Sequence, residues 1–207
     1  VEHKTESSMA GVLTRALSVA ALVMLPAFVV PGIPPESAQL LLLLAVFAAG
    51  AVLAEYASAY PALIEFRFAA PYNRTRYLLA FLMALSLSLV LRDTGVPGPL
   101  SAMVVVLAQV CGQLLDLPFS PVRLLIAALP DGLADAHLAR VHDGAALALV
   151  LGLTTVAGFA LAIRLNAWPM GTGPFNVWIN LPTFDPTAGN DVVLRLRRHA
   201  RINLLLG

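Results

Sequence analysis

The chain has 207 residues, of which 59% are apolar and 12% are charged, with a net charge of +1 and a mean hydropathy of +0.83. Soluble domains carry about 45–50% apolar and roughly 25% charged residues, so this composition excludes a soluble globular, disordered or collagen-like protein. It predicts an all-α, polytopic membrane protein, and the small net charge gives no reason to expect nucleic acid as a partner.

The first two predicted spans cover residues 10–30 and 38–56. The first ends at a cluster of prolines and has no small-x-small cleavage pattern near its end. We therefore expect a retained transmembrane helix and not a removed signal peptide.

Three further spans are predicted at 77–91, 100–115 and 144–165, which brings the total to about five. The apolar segment at 119–129 is too short to cross a bilayer core, which needs about 20 residues. We expect this segment to be interfacial or re-entrant after the fourth span.

The last part of the chain, residues 166–207, is punctuated by Gly and Pro. It predicts a mixed extramembrane appendage to a transmembrane domain at 1–165, and it either ends the protein or leads into a further span. Four arginines near its end alternate with apolar residues at helical spacing. That pattern is typical of an amphipathic basic helix on anionic lipid, and equally of the charged flank of a further span. The four arginines are Arg195, Arg197, Arg198 and Arg201.

The orientation prediction depends on where the basic residues fall. With five spans, seven basic residues lie on the side of the N-terminus and six on the other, and four of those six lie about 30 residues beyond the last span, outside the window that orients helices. The sequence therefore predicts a cytoplasmic N-terminus in a bacterial inner membrane.

The loop at 57–76 concentrates residue types that are enriched at protein–protein contacts. The alternating run at 64–68 would place its apolar side chains on one side of an extended segment. We expect this loop to dock on a partner or on the chain itself, with contact to lipid as the alternative, since aromatic residues also collect at membrane surfaces. The predicted docking residues are Phe66, Arg67, Phe68, Tyr72, Arg74 and Arg76.

Two sets of residues are predicted to mediate helix packing. Gln109 and Gln113 lie four residues apart on one face of the fourth span, where amides act as interhelical hydrogen-bonding groups or, alternatively, line a pore. Gly144, Ala148 and Gly152 repeat at intervals of four in the fifth span, and small residues at this spacing let another helix approach closely.

The polar segment at 131–143 is the densest cluster of ionisable residues near a predicted span. Its histidines, His137 and His142, are five residues apart, which places them about 140° apart around a helix and does not form one metal site. We expect a solvated loop helix. A membrane enzyme that acts on lipid head groups through this segment is the weaker interpretation.

The residue types that catalysis commonly needs are scarce. Lys4 is the only lysine and Cys111 the only cysteine, which excludes P-loop and Schiff-base lysines, an intrachain disulfide and a cysteine-based zinc site. The sequence predicts no metal, no cofactor and, on balance, no enzyme. We expect an accessory, assembly or docking subunit of a larger inner-membrane complex, in contact with lipids. The alternative is a small transporter or channel formed by a homo-oligomer.

Overall fold

The computed structural model describes residues 9–58, 70–92, 98–130, 132–166 and 201–202. Within these ranges the chain is helical and contains no strand, which confirms the predicted all-α class. The helices are α1 (Met9–Val29), α2 (Pro35–Ala57), α3 (Ala70–Leu91), α4 (Pro99–Leu115), α5 (Pro121–Ala127) and α6 (Asp135–Asn166).

Four of these helices, α1, α2, α3 and α6, are long and apolar enough to cross a membrane. They correspond to the first, second, third and fifth predicted spans. The fourth predicted span forms α4, which has 17 residues and so lies at the lower limit of what a bilayer crossing needs.

Helix starts follow the local sequence. Three helices, α2, α4 and α5, begin at a proline, whose fixed φ suits the first helical position and whose missing N–H costs no hydrogen bond there. In α5 the hydroxyl of Ser120 also accepts a hydrogen bond from the backbone N–H of Arg123 at 3.2 Å. This short helix occupies the predicted interfacial segment.

Two helices begin earlier than the hydropathy pattern predicts. Helix α3 starts at Ala70, so the end of the predicted loop is helical. Helix α6 starts at Asp135, nine residues before the predicted span, because the polar segment continues the apolar helix without a break. An acidic residue in the first turn of α6 favours this start, since it interacts well with the positive end of the helix dipole.

Helix α6 is the centre of the described packing and lies against α3, α4 and α5, whereas α1 pairs with α2 and contacts α3. The buried core lies where α3, α4, α5 and α6 meet: Val90, Ala108, Cys111, Val122, Ala146 and Leu147. Many large apolar side chains point outward instead, such as Phe47 of α2, which is 75% exposed. Outward-facing apolar helices of this length are compatible with a lipid surrounding.

Helices α3 and α6 are antiparallel. A Cβ built on Gly144 would lie 3.3 Å from Leu87 Cδ2, and one on Gly152 would lie 3.7 Å from Met83 Cε. Further along, the ring of Phe159 lies 5.8 Å from that of Tyr72. In these contacts the residue numbers increase along α6 as they decrease along α3. The start of α6 therefore lies beside the end of α3.

Helix α3 also carries two buried serines, whose hydroxyl groups form hydrogen bonds within the helix. Ser86 Oγ donates a hydrogen bond to the carbonyl of Met83 at 3.2 Å, and Ser88 Oγ donates one to the carbonyl of Ala84 at 2.6 Å. Of the four long apolar helices, α3 has the lowest mean hydropathy.

Candidate functional site

Several charged and polar side chains come together at the first turns of α6, where α3 ends and where α4 and α5 pack. Two features meet there, a cluster of charged side chains and a polar cavity. Asp143 belongs to both of them.

The charged cluster is a row of ionisable side chains from the end of α4, from α5 and from α6. Asp116, just after α4, accepts a hydrogen bond from Arg123 Nε of α5 at 2.5 Å. The same Asp116 oxygen lies 3.9 Å from His142 Nε2 of α6. On the other side of the ring, His142 Nδ1 is hydrogen-bonded to Asp143 Oδ1 at 3.1 Å. The imidazole therefore lies between two carboxylates, with a guanidinium at the outer end.

A glycine on α4 makes room for this cluster. Gly112 is buried, and a Cβ at this position would overlap Asp143 Oδ1 and lie 3.2 Å from His142 Nδ1. The charged residues of α6 can approach α4 this closely because residue 112 has no side chain.

Asp116 and Arg123 each stabilise the charged form of the other. The hydrogen bond from Arg123, together with its charge, lowers the pKa of the Asp116 carboxyl, and the nearby His142 adds to this effect. The same hydrogen bond raises the pKa of Arg123. Both side chains are about half exposed, so the pair is ionised and accessible at neutral pH.

The cluster is not arranged as a metal site. The carboxylates of Asp116 and Asp143 lie at opposite nitrogens of the His142 ring and do not converge on a common point. Throughout the described ranges, no group of three or more His, Cys, Asp or Glu residues could hold a metal ion. Of the two histidines of the polar segment, His142 joins the cluster and His137 is exposed.

The cavity next to the cluster has a volume of about 240 Å³ and a partly polar lining. Arg92, at the end of α3, has a buried Nε with no hydrogen-bond partner among the described residues. Ser101 of α4 is buried, and its hydroxyl donates to the carbonyl of Leu89 at 3.4 Å. Gln109, Arg140 and Asp143 complete the polar part of the lining.

The small residues predicted for helix packing lie towards α3. Gly144 is buried against Leu87 and Val90, and Gly152 lies near Met83. Ala148, one turn from each, is half-buried.

The two predicted packing amides lie on the outward side of α4. Gln109 and Gln113 are both exposed, and Gln109 also borders the cavity. Packing of these amides against another helix stays a prediction, since neither side chain is buried within the described part of the bundle.

The predicted docking and lipid-facing residues are only partly described. Phe66, Arg67, Phe68, Arg195, Arg197 and Arg198 lie outside the described residues. In α3, Tyr72 packs on Phe159 and lies under the guanidinium of Arg76 at 5.2 Å, whereas Arg74 is exposed. Arg201 is exposed.

The sequence did not predict the cluster or the cavity as sites. Asp116 and Arg123 are seven residues apart with two prolines between them, and Arg92 lies far from both in the sequence. Their convergence depends on the antiparallel packing of α6 on α3, which sequence spacing alone does not reveal. The one local signal was Gly112, a helical glycine four residues before an aspartate.

Comparison of the chain with protein-family models, curated proteins and solved structures found no match.

Proposed function

We propose that the chain is an integral membrane protein that acts as an accessory, assembly or docking subunit of a larger inner-membrane complex, and that a helix of its partner packs on the outward side of α4. The observation that carries this proposal is the mixed character of that surface. Gln109 and Gln113 are exposed there beside exposed apolar residues such as Val106, Val110 and Leu114.

This surface suits neither lipid nor water alone. An amide that faces hydrocarbon without a hydrogen-bond partner costs several kcal/mol, and Leu114, which is 69% exposed, is unfavourable in water. A partner helix would pair the amides and cover the apolar side chains. Interhelical hydrogen bonds of amides contribute about 0.6–2 kcal/mol in membranes. The opposite side of α4 is already occupied, since Ala108, Cys111 and Gly112 are buried against the core.

The topology proposed here has four crossings and differs from the five predicted from hydropathy. Antiparallel packing of α3 and α6 requires the connection between them to begin and end on the same side of the membrane. Both ends of α4 also lie near the start of α6, since Ser101 shares the cavity with Arg140 and Asp116 lies 3.9 Å from His142. Helices α4 and α5 then form a re-entrant segment.

The distribution of basic residues supports this topology. With four crossings, the N-terminus, the loop at 59–69 and the region after α6 share one side. Without the four arginines near the end of the chain, which lie outside the window that orients helices, this side carries six of the nine remaining basic residues, and the other side carries Arg92, Arg123 and Arg140. The positive-inside rule makes the side of the N-terminus cytoplasmic. The proposal keeps the predicted cytoplasmic N-terminus. It differs from the five-span prediction, which puts the C-terminal region on the opposite side, by placing that region in the cytoplasm as well. Phe66, Arg67 and Phe68 would then form a second docking surface on the same side.

Single cysteines introduced into a Cys111→Ala background test the topology. Cysteines at Ser7 and Thr187 should react with a membrane-impermeant maleimide only from the cytoplasmic side. A cysteine at Ala128, an exposed residue just after α5, should react only from the other side. Labelling of the cysteines at positions 7 and 187 from opposite sides of the membrane would contradict four crossings and support five.

The docking proposal is tested with Gln113→Leu and with Gln113→Leu combined with Gln109→Leu, using native gels of membranes solubilised in a mild detergent. The double variant should lose the high-mass complex. Gln39→Leu, the same change at an exposed position of α2, should keep it. An unchanged complex at normal abundance of the inserted double variant contradicts the proposal, and altered solute permeation in that variant would favour the channel alternative.

A further inference from the structure

We propose that the cavity between the end of α3 and the starts of α4 and α6 binds a phosphate group, held by Arg92 and Arg140. The ligand class is an oxyanion of a phosphate ester or of free phosphate. This site adjoins the outward surface of α4 proposed above for a partner helix, because Gln109 borders both, and its test therefore uses Arg92 and Arg140, which lie outside that surface.

The first argument is the state of Arg92. Its Nε is buried and has no hydrogen-bond partner within the described ranges. Buried donors are nearly always paired, and an unpaired one on a charged group is especially unfavourable. Arg92 also lines the adjoining cavity, so an anion bound there would compensate the charge of its guanidinium group.

The second argument is the charge of the lining. Arg92 and Arg140 contribute two guanidinium groups against one carboxylate, that of Asp143. The carboxylate is engaged elsewhere, since its Oδ1 is hydrogen-bonded to His142 Nδ1 at 3.1 Å and packs on Gly112. Arg140 is engaged as well, since its Nε donates a hydrogen bond to the carbonyl of Ala136 at 3.3 Å. Among the described lining residues, the two guanidinium groups still outnumber the one carboxylate, and planar guanidinium groups match the geometry of phosphate oxygens.

The third argument is size and polarity. A volume of about 240 Å³ is several times the roughly 30 Å³ that one water molecule occupies in the liquid, so the cavity has room for a phosphate group. Ser101 and Gln109 add a hydroxyl and an amide to the lining. Ser101 also lies in the first turn of α4, where the helix dipole favours an anion.

The location points to two sources of phosphate. The cavity lies at the end of the bundle, where α3 stops at Leu91 and α6 starts at Asp135. In either leaflet, the head groups lie at the ends of the transmembrane helices, so a phosphate of a lipid can reach a cavity at this level. Free phosphate would present the same oxygens from the aqueous side.

The test uses the purified full-length protein in a neutral detergent, titrated separately with short-chain phosphatidylglycerol and with inorganic phosphate. Native mass spectrometry and the ligand-induced rise in melting temperature measure binding. Arg92→Gln and Arg140→Gln should each weaken binding about tenfold, as expected for loss of a hydrogen bond to a charged group. Arg164→Gln, an exposed arginine at the far end of α6, is the matched control and should bind as the wild type does.

Each result bears on the proposal. Selective loss of phosphatidylglycerol binding in the two cavity variants supports a lipid source, and selective loss of phosphate binding supports a free phosphate. Equal binding of both ligands by all variants, or equal loss in Arg164→Gln, overturns the proposal. Arg92→Lys keeps the charge without the guanidinium Nε–H, so it should recover part of the affinity and provides a second test if Arg92→Gln does not fold.

Discussion

Replacing Gly112 by alanine should destabilise the protein, although alanine is the better helix former. In the interior of a helix, this substitution normally gains about 0.8–1 kcal/mol. Here the new Cβ would overlap Asp143 Oδ1 and lie 3.2 Å from Asp143 Cγ. Asp143 must rotate away, which breaks its hydrogen bond to His142.

The size of the effect follows from two opposing contributions. A hydrogen bond that involves a charged group contributes about 1.5–3 kcal/mol. Subtracting the gain in helix propensity leaves a net loss of about 0.5–2 kcal/mol in the free energy of unfolding. Gly50→Ala in α2 is the matched control, because a Cβ at Gly50 would meet nothing within 4 Å. The control should be neutral or stabilising by up to about 1 kcal/mol.

The assay is unfolding in mixed micelles with increasing sodium dodecyl sulfate, followed by circular dichroism. The two alanine variants should shift the midpoint in opposite directions, or Gly112→Ala alone should lower it. Repeating Gly112→Ala in an Asp143→Ala background removes the overlapping atoms, so the substitution should no longer destabilise. An equal loss with and without the Asp143 carboxylate would refute the explanation from close packing.

Two further predictions concern the same end of the bundle and its contact with α3. Because Arg123 lowers the pKa of Asp116 in the folded state, their pair stabilises the protein above the ordinary carboxyl pKa, and this contribution disappears as the pH falls through the lowered value. Melting temperatures of the wild type and Asp116→Asn should therefore differ at about pH 7, and the difference should shrink as the pH falls below the ordinary carboxyl pKa; a difference that stays constant would contradict this. Gly144→Leu should lower the melting temperature, because even a Cβ there would lie 3.3 Å from Leu87 Cδ2, whereas Gly158→Leu, at an open position, should not. Equal melting temperatures for these two leucine variants would rule out close α3–α6 packing at Gly144.

The sequence predicted the apolar helices well, because each is a long run of apolar residues with Pro or Gly near an end. It predicted helix starts less well where polar residues are helical, as at Ala70 of α3 and Asp135 of α6. Hydropathy reports transfer into lipid and does not detect the continuation of a helix beyond the membrane.

The charged cluster and the cavity were not predicted from the sequence, for a different reason. Asp116, His142 and Arg92 come from three segments, and their proximity depends on the direction in which α6 packs on α3. Periodicity within one helix identifies a face but not the neighbour that covers it. The spacing of four residues between Gly144, Ala148 and Gly152 predicted a close helix contact. It does not indicate that the neighbouring helix is α3 or that α3 runs antiparallel to α6.

The serines of α3 have a consequence for the packing of this helix in the membrane. Helix α3 is the least apolar of the four long helices, and α6, which packs against it, begins only after the intervening α4 and α5. Because Ser86 and Ser88 donate their hydrogen bonds to carbonyl groups of α3 itself, these hydroxyls need no second helix to satisfy them in hydrocarbon. In the proposed membrane topology, the hydrogen bonds of these two hydroxyls therefore do not depend on the packing of α6 against α3.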